Sequence, residues 1–91
     1  MQRNTKATHE YDAQIAQGTE AAMLLGNTLL NNLLDKMEAD ATAKMIDSAK
    51  QEDRETAWHK VRAVRDFRNE LKTLTTTGKI AKQKRDTLKD E

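Results

Sequence analysis

Residues Ser48–Thr77 read SAKQEDRETAWHKVRAVRDFRNELKTLTTT, and the spacing inside this stretch decides the fold. It contains neither Gly nor Pro, is closed by Gly78, and holds the only Trp and the only Phe of the chain. Ser48 and Gln51 fit the S-x-x-Q capping box, in which hydroxyl and amide satisfy backbone donors that a helix start leaves unpaired. Glu52, Asp53 and Glu55 follow in the first turns, where the helix dipole favours negative charge. Ala57, Val61, Val64, Phe67, Leu71 and Leu74 then recur every three or four residues and fall within about 140° of arc. This predicts a helix over about residues 49–77, roughly 40 Å long at 1.5 Å per residue.

Upstream, Leu29, Leu30, Leu33, Leu34, Met37, Ala41 and Met45 occupy about 160° of arc, which predicts a second helix over about residues 29–47. Its stripe is wide enough to face more than one neighbour. A short connection to the long helix implies an antiparallel hairpin, with Leu33 and Met37 near the middle of the seam. Gly26-Asn27-Thr28 reads as a turn that supplies N-cap oxygens. A weaker helix over about residues 10–25 places Tyr11, Ile15, Ala22 and Leu25 on one face, with Gly18 interrupting it. Residues 1–9 read as a flexible N-terminus. Thr75-Thr76-Thr77 before Gly78 reads as a fraying helix end. Residues 79–91 read as a mobile, basic, charged tail with only Ile80 and Leu88 to bury. No run of β-branched or aromatic residues alternates with polar ones, so the fold class is all-α, with residues 10–78 as the helical domain.

Ninety-one residues make one small domain or one subunit. Apolar residues are 36% and aromatics 3%, so a core of large side chains is scarce and oligomerisation is expected as the remedy. There is no cysteine, which excludes disulfides, cysteine-based zinc sites and thiol catalysis. Met1 to Glu10 lacks the apolar run of a secretory signal, and no segment approaches the roughly 18 apolar residues of a membrane span. The expected location is the inside of a cell, or a particle made there. The net charge of +1 hides an asymmetry: residues 1–58 carry 6 Lys/Arg against 10 Asp/Glu, and residues 59–91 carry 10 against 5. Such a split can orient subunits or draw an acidic partner, and it is equally what solvated helix faces require.

Catalytic and metal chemistry find little footing. His9-Glu10 begins like a zinc-binding H-E-x-x-H, but Ala13 stands at the position of the second histidine, and His59 is far along the chain. Gly78-Lys79 resembles the end of a phosphate-binding loop, yet Thr73 replaces the required first glycine and no strand precedes it. Asp35/Glu38 and Asp40/Asp47 lie on polar faces without an apolar pocket to shift their pKa. The chain is therefore expected not to be an enzyme and to need no cofactor or metal.

Trp58, Arg62 and Arg65 form a separate row, about 130° from the centre of the long helix's apolar stripe. Arginine stacks on indole faces, and both residue types concentrate in interfaces. Trp58 either faces a partner or wraps over the hairpin edge onto a neighbouring helix. With Lys82 and Arg85 of the tail, this row is the candidate partner-binding set. Lys60, Arg62, Arg65, Arg68 and Lys72, followed by Lys79, Lys82, Lys84 and Arg85, are what a nucleic acid would need. Asp66, Glu70, Asp86 and Asp90 interrupt them.

The segment Arg54-Glu55-Thr56-Ala57-Trp58-His59-Lys60-Val61-Arg62-Ala63-Val64-Arg65, running on through Leu71 to Gly78-Lys79-Ile80-Ala81, follows Ala22-Met23-Leu24-Leu25-Gly26-Asn27-Thr28-Leu29-Leu30 upstream. Together they resemble small helical proteins of tailed bacteriophages and prophages, over about residues 20–83. That group largely lacks an assigned activity, so the resemblance implies a setting and supplies no catalytic residue. The expectation is a non-enzymatic structural or assembly protein that associates with itself or with a larger virion component. The alternative is a binding module that engages nucleic acid or inhibits a host protein through its basic helix face.

Overall fold

The computed structural model describes residues 5–89, all of them in three helices or the two short turns between them. Helix α1 spans Thr5–Leu25, α2 spans Thr28–Asp47 and α3 spans Gln51–Lys89. The all-α expectation holds among these residues, but the chain is not a simple hairpin. At 39 residues α3 is nearly twice the 20 of α2. It runs straight through Gly78, where a helix end and a mobile tail over 79–91 were expected; positions 90–91 lie outside the described residues. Of the expected flexible N-terminus, residues 5–9 belong to α1 and residues 1–4 lie outside the described residues.

Two compact units divide the chain. One is Leu25–Glu70, in which α2 lies along the first half of α3. Asn27 caps α2, its side-chain oxygen accepting from the Leu30 N–H at 2.8 Å, as the turn chemistry predicts. Ser48 does not open α3 through a capping box. It closes α2 instead, its N–H donating to the Lys44 carbonyl at 3.0 Å. Gln51 reaches forward to Glu55, and Arg54 turns back to donate to the carbonyls of Ser48 and Ala49 at 3.0 and 2.8 Å. The guanidinium thus satisfies acceptors that the end of α2 and the turn leave open. Leu34, Ala41, Ala57, Val61 and Val64 are buried here. Arg65 pairs with Glu38 at 2.8 Å and Arg68 pairs with Asp35, so the two helices step past each other in opposite senses.

The other unit pairs α1 with the part of α3 from Leu71 onward. Its contact is made by backbone. A Cβ placed on Gly18 would stand 2.9 Å from the Gly78 Cα and 2.9 Å from the Leu74 carbonyl oxygen. One on Gly78 would stand 3.0 Å from the Gln14 carbonyl oxygen. Ala21 and Ala81 are buried beside this crossing, at 2% and 1% exposure. Glycine in a helix interior costs up to about 1 kcal/mol relative to alanine. Here that cost is offset by the close packing it permits. Among the described residues no glycine has a positive φ, so neither Gly18 nor Gly78 is a helix break. The buried alanine of α1 is Ala21, whereas Ala22, placed on the face by spacing, is exposed.

Candidate interaction surface

The Leu25–Glu70 unit has two unlike sides. On one, Glu38 and Asp35 of α2 meet Arg65 and Arg68 of α3, and Arg68 also donates to the Asn31 carbonyl at 3.4 Å. On the other, the helices part around an apolar groove of about 490 Å³, with Leu34, Ala41 and Val64 buried within its lining. Leu30 and Met37 line it from α2, Ala63 and Phe67 from α3, and Asp40, Lys44 and Lys60 stand among them. Met37 is 56% exposed and Phe67 45%. Leu33, expected with Met37 at the middle of the seam, is half-exposed as well. The stripe is too wide to be consumed by one neighbour, so α3 covers the Leu34–Ala41 side and leaves the Leu33–Met37 side open.

The lining has a helical signature. Lys60, Ala63, Val64 and Phe67 stand at i, i+3, i+4 and i+7, and Met37, Asp40, Ala41 and Lys44 repeat that spacing on α2. Four residues so placed frame the hollow into which a neighbouring helix inserts a side chain. An alanine in each set keeps the hollow deep. Asp40 is bound to Lys36 at 2.9 Å. That hydrogen bond and its charge hold the Asp40 carboxyl below its ordinary range, Lys44 adding a little, and raise Lys36.

The residues read as a partner-binding row lie in different circumstances. Arg62 stands 5.7 Å from the centre of the Trp58 ring, within cation–π reach, and His59 meets the same ring edge-on at 5.0 Å. Trp58 also lines a shallow hollow with Met45, Gln51, Arg54 and Glu55, so it lies toward the end of α2 while remaining half-exposed. Arg65 is committed to Glu38. In the other unit, Arg85 pairs with Asp12 of α1 at 3.0 Å, and Lys82 lines a small depression with Ile15, Gly18 and Ala22. Gly78-Lys79 lie inside α3, where the backbone is helical and no phosphate cradle forms. Among the described residues no group of three or more His, Cys, Asp or Glu could hold a metal ion, and no helix is long and apolar enough to cross a membrane.

Residue type pointed to Lys60 only as a nucleic-acid candidate and passed over Ala63, because neither is large and apolar. Their i, i+3, i+4, i+7 relation to Val64 and Phe67 was the available signal. Comparison of the chain with protein-family models, with curated proteins and with solved structures returns no match, so the surface rests on its own geometry.

Proposed function

We propose that this chain is a non-catalytic structural or assembly protein that works by helix–helix association through the open side of α2 and α3. The groove framed by two sets of i, i+3, i+4, i+7 residues carries this reading, because such a lining accepts the ridge of another helix. The weakness of the chain's own core supports it. Among the described residues, four of the eight buried apolar ones are alanine, while Leu29, Leu33, Met37 and Phe67 remain exposed. The resemblance to small phage proteins suggests the setting, an assembling particle or virion. Of the nine basic residues that a nucleic-acid role would draw on, Arg65, Arg68 and Arg85 are each paired with a carboxylate of the same chain.

Size-exclusion chromatography with light scattering tests the reading directly. A defined oligomer is expected, and Met37→Glu or Phe67→Glu should shift it to monomer without loss of helical circular dichroism. A wild-type chain that stays monomeric and alone at high concentration overturns the proposal.

A further inference from the structure

We infer that the unit of α1 and the end of α3 binds the phosphate backbone of duplex nucleic acid, independently of sequence, through a row of free lysines. This surface is separate from the groove, and its use does not depend on association. Residues 5–24 and 71–89 carry 7 Lys/Arg against 4 Asp/Glu, whereas residues 25–70 carry 8 against 9. The positive charge therefore belongs to one unit, and there it gathers on one side of α3. Lys72, Thr76, Lys79 and Gln83 stand at i, i+4, i+7 and i+11, on one line of the helix, and all four are exposed. Lys82, also exposed, joins Lys79 in lining the depression that Ile15, Thr19, Ala22 and Thr75 form beside the glycine crossing.

The carboxylates of the unit leave this side clear. Asp12 and Asp86 are both gathered by Arg85, at 3.0 and 3.5 Å. Glu20 and Glu10 stand about 100° and about 180° round α1 from Thr19, away from the depression. Among the described residues Lys72, Lys79 and Lys82 make no ion pair, so their charge is available to a partner. The chemistry of the row selects that partner. Thr19 and Thr75 donate their hydroxyl protons to the Ile15 and Leu71 carbonyls, at 3.0 and 2.9 Å, so the depression offers no ring of donors to a small anion. An acidic protein surface fits less well, because protein interfaces are depleted in lysine and draw on Trp, Tyr and Arg. The row holds no aromatic, so unpaired bases would have nothing to stack on. Lysine, threonine and glutamine are residues that contact phosphate and sugar without reading bases. Over the roughly 15 Å of helix from Lys72 to Lys82, a duplex presents about nine negative charges, an ample counterpart for three lysines.

Fluorescence anisotropy of a short labelled DNA duplex, titrated with the full chain across a range of salt, provides the test. Binding is expected at low salt and equal on two unrelated sequences. The logarithm of the binding constant should fall against that of salt with a slope of about −2.7, for three neutralised phosphates. Lys79→Gln combined with Lys82→Gln should weaken binding roughly tenfold and bring the slope to about −0.9, with helical circular dichroism unchanged. Lys36→Gln combined with Lys50→Gln removes equal charge from the other unit and should leave the slope unchanged. Absence of binding at low salt overturns the inference. An equal loss in the Lys36 and Lys50 variant does so as well, since attraction would then follow net charge alone. Tighter binding of polyglutamate than of the duplex also overturns it and assigns the row to an acidic protein. None of these results depends on the oligomeric state, which light scattering reads separately.

Discussion

The two helix pairs of this protein meet in opposite ways. Between α1 and the latter part of α3, Gly18, Gly78, Ala21 and Ala81 bring backbone against backbone, and the contact has no space for another atom. Between α2 and the first part of α3, Leu34, Val61 and Val64 hold the helices apart by whole side chains, and an apolar groove opens on one side. Helices in contact usually lie about 8–10 Å apart, and which end of that range applies is set by the residues at the crossing. A glycine crossing is complete in itself and intolerant of change. A leucine–valine crossing tolerates change better but leaves lips that another helix can cover. Only the second kind of contact leaves an apolar groove open beside it.

The largest effect that would break this contrast comes from adding atoms at the glycine crossing. Gly18→Leu should destabilise the protein by about 3 kcal/mol or more, and Gly78→Ala by about 1–3 kcal/mol, since the obstructing atoms are backbone and cannot rotate away. Thermal unfolding measures the loss, and hydrogen exchange should show it concentrated in α1 and the end of α3. Equal loss of protection throughout α2 would erase the distinction between the pairs. Leu34→Ala should cost about 2 kcal/mol, the low end for buried leucine, because the adjoining groove lets neighbours collapse. A loss above about 4 kcal/mol in chemical denaturation would mean that this side is packed as tightly as the glycine crossing.

Smaller changes sharpen the comparison at the ends of α2. Asn27→Ala removes the cap of that helix and should cost about 1 kcal/mol, seen as a lower thermal midpoint. Asp40→Asn should have the least effect. The Asp40 pKa is lowered in the folded chain, so its contribution is present above the carboxylate's unfolded pKa and disappears as pH falls through the folded value. Wild type and variant should therefore converge in acid and differ slightly at neutral pH, the difference shrinking with salt. A gap that persists in acid would show that Asp40 acts through packing rather than charge.

Much of α2 and the first half of α3 was legible in the sequence, because apolar spacing and cap chemistry are local. Val61, Val64 and Leu34 are buried as their periods require, and Asn27 caps as its turn suggests. The capping box at Ser48 was misread for an equally local reason. The same serine can close one helix or open the next, and Arg54 donates to the carbonyls of Ser48 and Ala49 in the turn. The groove was half legible: the breadth of the α2 stripe announced a surplus of apolar side chains, but not which of them α3 would leave uncovered. The Trp58–Arg62 stack was visible as a spacing, whereas the pairing of Arg65 with Glu38 and of Arg85 with Asp12 joins residues far apart in the chain.

By itself, the sequence determined that this protein is helical, where its two turns fall, and that its apolar stripes exceed what one helix contact can bury. Those properties follow from propensity, capping and a period of 3.6 residues, which neighbours in the chain decide. The tertiary structure alone decided that Gly18 and Gly78 lie inside helices and that α3 continues to Lys89. A glycine is a weak point in an isolated helix. It becomes a point of closest contact only when a second backbone, about sixty residues away in the chain, takes the space its missing side chain leaves.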